Sequence, residues 1–190
     1  MWLVLPVVLG QDSWEVVRES GGCVFRRGPT EAENNSPLHA TCTWADIDAG
    51  AIEALISAYS DHDDTWASIA TCEEVERTDE QVRVHHVHDL PGVDDREIEL
   101  TWTWSSEDDG ATRHDWVRSP VQPEVDPSRV NPDRDEGYYR ILPAEDGVVV
   151  EALFYYDPAG SIPEWIVRAT QVGSADFMMQ ELYRAAAVVE

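Results

Sequence analysis

The sequence predicts an α+β domain in which a curved antiparallel sheet packs one face against helices. Three observations predict it. Strand-like runs follow one another across short polar turns, interrupted by one amphipathic helix and closed by one long helix. The run "REIELTWTW" alternates, with Ile98, Leu100, Trp102 and Trp104 pointing one way and Glu97, Glu99, Thr101 and Thr103 the other. "GVVVEALFYY" repeats the pattern, with Val148, Val150, Ala152, Phe154 and Tyr156 on one face and Glu151 opposite. A sheet that is wet outside and bulky and apolar inside must be covered, and the last helix is the natural cover.

The elements follow in order. "DSWEVVRES" reads as a short helical lead-in. "GCVFRR" and "LHATCTWADI" read as the first two strands, joined across the polar loop "GPTEAENNSP". "DAGAIEALISAYSD" is an amphipathic helix with Asp48 as N-cap and Ile52, Leu55, Ile56 and Tyr59 on one face. "DHDDTW" is an acidic turn ending at Trp66. "SIATCEEVER" and "QVRVHHVHDL" are strands joined across "TDE", then "REIELTWTW" and "TRHDWVRS" are strands joined across "SEDDGA". "PVQPEVDPSRVNPDRDEG", with four prolines, reads as loop, and "YYRILP" and "GVVVEALFYY" as a hairpin across "AEDG". "DPAGSIPEW" ends that strand in a turn and starts the final helix, with Pro163 early in it and Gly160 and Gly173 as flexible points. On that helix Ile162, Trp165, Ile166, Ala169, Val172, Gly173 and Tyr183 form a covering stripe with Phe177 at its margin. Asp176 and Gln180 interrupt the stripe, either because the helix end leaves the sheet there or because they face a polar part of a cavity.

Length and composition limit the function. The 190 residues suit one domain with room for an internal pocket, assigned to 11–190. Thirty-eight acidic residues face 13 basic ones, all arginine, for a net charge of −25. Such a chain repels nucleic acid and anionic lipid surfaces, so no nucleic-acid partner is expected, and self-repulsion favours a monomer. "MWLVLPVVLG" is too short to span a membrane and resembles the apolar core of an export signal, although it lacks a basic start. Cleavage near Gln11 would place the protein in the periplasm or outside the cell; without it, the cytoplasm is expected. Of three cysteines, Cys23 and Cys42 sit symmetrically about the first loop and can close a disulfide in an oxidising compartment. Three buried thiols acting as small hydrophobes is the reading favoured here.

Four stretches together resemble the START domains, the steroidogenic-acute-regulatory-related lipid-transfer family, and in particular its stand-alone bacterial members. They are "SWEVVRESGGCVFRR", Trp66 just before a strand, "LPGVDDREIEL", and above all "GYYRILPAEDGVVVEALFYYDPAGSIPEWIV". The resemblance covers about residues 13–187. It implies a helix-grip fold, an antiparallel sheet curled around the C-terminal helix, enclosing one apolar cavity for a single lipid such as a sterol or phospholipid. It also implies transient contact with a membrane or membrane protein. The sequence departs from the family at Glu97, where the family has aspartate after Arg96, and at Arg168, where it often has asparagine. Around His86, His88 and Trp102 the internal charge kept by some sterol-binding relatives is absent.

The ligand wall this implies combines strand residues His86, His88, Arg96, Leu100, Trp102, Trp104, Tyr139, Arg140, Phe154 and Tyr156 with helix residues Trp165, Ile166, Ala169 and Phe177. Burying an acyl chain there is favourable by ~0.8 kcal/mol per methylene. In "HHVHD", His86 and His88 share one face. They read as metal ligands, as hydrogen-bond partners of a headgroup, or as packed histidines; with no further ligand identifiable, no metal site and no cofactor are assigned. Arg96 and Arg140 can each pair a buried acid or bind an anionic headgroup. The ion pair is favoured for Arg96, and the face of Arg140 stays open. "DHDDTW" lacks the glycine and distal glutamate of a calcium loop. No nucleophile elbow or phosphate loop is present, so no catalytic residue is assigned. The rival to lipid binding is an aromatase- or cyclase-like enzyme on the same fold, using His86 with His88 or Asp176 as acid and base.

Overall fold

The computed structural model describes residues 14–29, 36–90 and 92–188; the stretch at 1–10 expected to resemble an export signal and most of the loop at 28–37 lie outside them. In chain order the elements are β1 (Glu15–Ser20), β2 (Cys23–Arg27), β3 (Leu38–Ala45), α1 (Ala49–Ser57), α2 (His62–Thr65), β4 (Ile69–Arg77), β5 (Gln81–His88), β6 (Arg96–Ser106), β7 (Thr112–Arg118), β8 (Arg134–Ala144), β9 (Gly147–Asp157) and α3 (Glu164–Ala186). The nine strands form one curved antiparallel sheet, ordered β1-β2-β3-β9-β8-β7-β6-β5-β4. α1 and α2 carry the chain from β3 to the far edge, and the hairpins then return strand by strand until β9 pairs with β3.

Two elements differ from expectation. The lead-in around Trp14 is a strand, not a helix, because Gly21 and Gly22 (φ +56° and +80°) make a two-residue turn that folds β1 back on β2. β8 begins at Arg134, earlier than the predicted loop allows, with Asp135 opposite Tyr156 on β9. The alternation Asp135, Gly137, Tyr139, Ile141 already marks it as strand. Gly137 is required by a close approach: a Cβ there would lie 1.9 Å from the Leu153 carbonyl and 2.7 Å from the Trp116 ring.

The alternation predicted for β6 and β9 sets the core. Ile98, Leu100, Trp102, Val148, Val150, Ala152 and Phe154 are all buried and join Phe25, Leu38, Ile52, Ile56, Met179 and Leu182 in one cluster. Fully burying each large side chain contributes about 1.5–3 kcal/mol. α1 is capped as predicted, Asp48 accepting from the Ala51 amide at 3.1 Å. It is tied to the sheet by a buried chain in which the Tyr59 hydroxyl meets His114 Nδ1 at 2.7 Å and His114 Nε2 meets Glu53 at 2.8 Å. Cys23 and Cys42 face each other across β2–β3 and are disulfide-bonded, which corrects the three-thiol reading; Cys72 remains a buried thiol.

The outer face of β6 is not uniformly wet. Glu97 is buried beneath the 120–132 segment, where its carboxylate accepts from the Asp126 amide at 2.9 Å and contacts His85 at 3.0 Å and Arg129 at 3.5 Å. Arg129 thus gives the buried carboxylate an ion-pair partner.

α3 packs differently from the predicted stripe. Its buried side chains are Ala175, Asp176, Met179, Leu182 and Ala186, with Val172, Met178 and Tyr183 against the core, so its C-terminal half does the packing. Trp165 is 72% exposed and Phe177 49% exposed, and Ala169 and Gly173 also face solvent. The stripe drifts because side-chain periodicity alone cannot register which arc of a long helix meets the sheet. Asp176 is not wet; it is buried and paired with Arg18 on β1 at 2.6 Å, which removes the cost of an isolated buried carboxylate.

Candidate functional site

The inner face carries an aromatic wall built by four neighbouring strands and the loop before β4. Trp102 lies 5.0 Å from Trp116, Trp116 lies 5.3 Å from Tyr139, and Tyr139 lies 5.9 Å from Phe154, centroid to centroid. Trp66 stacks on Tyr139 at 6.0 Å with the rings 12° apart. From β5, His86 and His88 stand 5.6 Å apart on the same face, and Tyr156 lies 6.1 Å from His88.

Polar nitrogens are set into this apolar wall without protein partners. Trp66 Nε1, His86 Nε2, His88 Nε2 and Trp102 Nε1 are buried and have no hydrogen-bond partner among the described residues. Burial drives both histidines toward the neutral form, with His88 pushed down to about 4 and His86 well below the ordinary imidazole value. Burial raises the Tyr139 and Tyr156 hydroxyls above the ordinary phenol value, so both stay protonated. Asp135, missed when its segment read as loop, accepts from Trp116 Nε1 at 2.8 Å, and burial raises its carboxyl to about 7. The wall can therefore offer weak, uncharged donors and acceptors to a largely apolar molecule.

Of the predicted ligand residues, His86, His88, Leu100, Trp102, Tyr139, Phe154 and Tyr156 meet on this wall, whereas the others do not. Trp104 is 39% exposed and stacks on Tyr59 at 5.8 Å near α1. Arg140 lies on the outer face, paired with Glu107 at 2.6 Å, Glu151 at 3.5 Å and Asp109. Trp165, Ala169 and Phe177 are exposed and Ile166 is half-buried.

Arg96 is buried, yet instead of the expected ion pair it donates to three backbone carbonyls. These are Pro158 at 3.0 Å, Ala159 at 3.2 Å, and Asp94. It thereby clamps the turn between β9 and α3, where Ala159 has φ +54° and Gly160 φ +75°. A non-glycine residue in that region persists only where its surroundings fix it. Asp157 adds a second restraint by accepting the Ala159 amide at 3.0 Å. Beyond the turn, Pro163 occupies the N-cap position and α3 starts at Glu164. The exposed first half of α3 is then tied down by Arg27 to the Arg168 carbonyl at 3.2 Å and by Gln171 to the Ser36 carbonyl at 2.8 Å.

No family model and no curated protein matches the sequence. Solved structures do match in three dimensions. A STAR-related lipid transfer protein from Xanthomonas axonopodis superposes with a TM-score of 0.81 at 20% identity, covering 90% of this chain and 97% of that one. Human STARD10 superposes with a TM-score of 0.84 at 15% identity, covering 95% of this chain and 76% of that one. This chain has the START fold. The START architecture accounts for the α+β helix-grip arrangement seen here, a curved antiparallel sheet with a long C-terminal helix. A more distant likeness joins this START fold to the Zhui aromatase/cyclase from a Streptomyces, with a TM-score of 0.52 at 12% identity, covering 81% of this chain and 95% of that one.

Proposed function

We propose that the protein binds a single hydrophobic lipid between the aromatic wall and α3, and carries it between membranes. The observation that supports this most is the pairing of an apolar wall bearing unpartnered indole and imidazole nitrogens with a helix whose first half buries none of its described side chains. The wall supplies the transfer free energy of an apolar molecule, and its nitrogens orient one polar end. Exchange proceeds by bending α3 near Gly173, where the exposed half meets the packed half, while Arg96 holds the preceding turn. The lipid-transfer name of the superposing Xanthomonas axonopodis protein points the same way. With a net charge of −25 the protein docks weakly on anionic bilayers, so a membrane protein or a salt-screened surface receives the cargo. The Cys23–Cys42 disulfide supports a periplasmic or extracellular location.

Protein stripped of lipid and exposed to a total lipid extract is expected to show one lipid per chain by native mass spectrometry. Trp102→Glu, with folding checked by near-ultraviolet circular dichroism, is expected to lose that lipid. Stripped wild-type protein that repeatedly captures nothing sinks the reading. The aromatase/cyclase alternative is favoured by the two neutral imidazoles on the wall, but Asp176, its other acid/base candidate, is committed to Arg18. Turnover of a polyketide-like probe that is lost in both His86→Phe and His88→Phe would select it over lipid carriage.

A further inference from the structure

His62, Cys72 and His86 come from three elements and meet in the core. The β4–β5 register sets Cys72 opposite His86, and both side chains point inward. α2 delivers His62 to the same place, its ring centroid 5.7 Å from that of His86. Each residue offers one donor atom, and the three atoms lie within 4.8 Å of one another; all three residues are buried.

The hydrogen bonds around the group fit a ligand set. His62 Nε2 lies 2.9 Å from the Ile56 carbonyl, an acceptor only, so that nitrogen carries the proton and Nδ1 keeps its lone pair. His62 Nδ1 and His86 Nε2 have no hydrogen-bond partner among the described residues. Two such nitrogens beside one thiol cost stability as plain core, since a buried polar atom left without a hydrogen bond bears its full desolvation penalty. A backbone carbonyl behind a ligating histidine fixes its tautomer and ring orientation. The thiol donates to the Tyr59 carbonyl at 2.9 Å.

We infer that His62, Cys72 and His86 form a binding site for a zinc-class divalent cation, with two imidazole nitrogens and one thiolate as ligands. The fourth position falls to water or to a polar oxygen of a bound molecule. Zinc–nitrogen bonds of about 2.0 Å and zinc–sulfur bonds of about 2.3 Å put these ligand atoms roughly 3.3–3.5 Å apart in a tetrahedron, so the donors close in by at most about 1.5 Å. Cys72 gives up its proton to solvent on binding, and its sulfur exchanges the Tyr59 hydrogen bond for the metal. The thiolate and imidazoles select against magnesium and calcium, which prefer oxygen. The site stands whether or not the wall binds lipid.

Cobalt(II) tests it, because a cobalt–thiolate bond gives an intense near-ultraviolet charge-transfer band. The chain has three cysteines and two are joined, so with the disulfide intact any such band in the wild-type protein reports Cys72. Chelator-stripped full-length protein is expected to bind one equivalent of cobalt with that band, and zinc is expected to displace it. Cys72→Ala is expected to lose the band and at least about tenfold in zinc affinity. His85→Gln, on the opposite face of β5, is expected to keep both. Cobalt binding without the sulfur band, which exposed carboxylates alone would give, overturns the assignment, as does the absence of saturable binding. The wild-type spectrum decides the matter even if Cys72→Ala does not fold.

Discussion

The two halves of α3 are one continuous helix with opposite relations to the rest of the molecule. From Ala175 onward it is built into the core, with Met179 and Leu182 fully buried, Tyr183 5.4 Å from Trp44, and Asp176 paired with Arg18. Before that point Trp165 faces solvent, Ile166 and Val172 are half-buried, and the helix is tied by Arg27 donating to the Arg168 carbonyl and by its own Gln171 donating to the Ser36 carbonyl. The difference shows that a helix need not be uniformly amphipathic to cover a sheet. One half anchors in the core, and the other is less buried and held by two side-chain hydrogen bonds.

The largest expected contrast comes from truncating one side chain in each half. Leu182→Ala is expected to cost about 2–5 kcal/mol in urea denaturation, as for a filled core site. Trp165→Ala, despite removing a larger side chain, is expected to stay within about 0.5 kcal/mol. Comparable losses in both would break the contrast.

Next comes the strand pair that the anchored half packs against. Replacing Cys23 and Cys42 together by alanine is expected to lower stability by roughly 2–4 kcal/mol, with the urea midpoint as readout. A midpoint unmoved by the double substitution would remove the disulfide from the anchoring account.

The smallest effect lies on the wall. Asp135 holds its proton up to about 7 because burial disfavours its charge, whereas an unfolded aspartate titrates near 4. The folded chain therefore binds more protons across that interval. The contribution of Asp135 to stability is present at pH 4 and is lost as pH rises toward 7. Asp135→Asn keeps an acceptor for Trp116 Nε1 and removes the titration. It is expected to flatten the fall in stability between pH 4 and 7, by on the order of 1–3 kcal/mol. Parallel pH profiles for the two proteins would place Asp135 in a wetter setting.

Much of this arrangement was legible in the sequence, and the failures have physical reasons. Period-two alternation read the inner faces of β6 and β9 correctly because those strands are long and one face is dry. The turn motif "DPAGSIPEW" marked the strand-to-helix junction, although not that Arg96 would clamp it from β6. β1 was misread because the Gly21–Gly22 turn signal was outweighed by the helical look of a short charged run. The burial of Glu97 had no local signal, since the 120–132 segment that covers it is distant in sequence. His62 was lost inside an acidic turn, and only the β4–β5 register and the placement of α2 bring it to Cys72 and His86. The packed arc of α3 was missed because its apolar residues are spread around the helix, and tertiary contact decides between arcs.

Hydrogen exchange of the lipid-stripped and lipid-loaded protein tests the central claim most directly. Without lipid, amides of 165–174 are expected to exchange faster than those of 175–186, and loading is expected to slow 165–174 together with β5 and β6. Equal protection along α3 without lipid, or protection on loading confined to other segments, would contradict a lipid held between the aromatic wall and the less buried half of the helix.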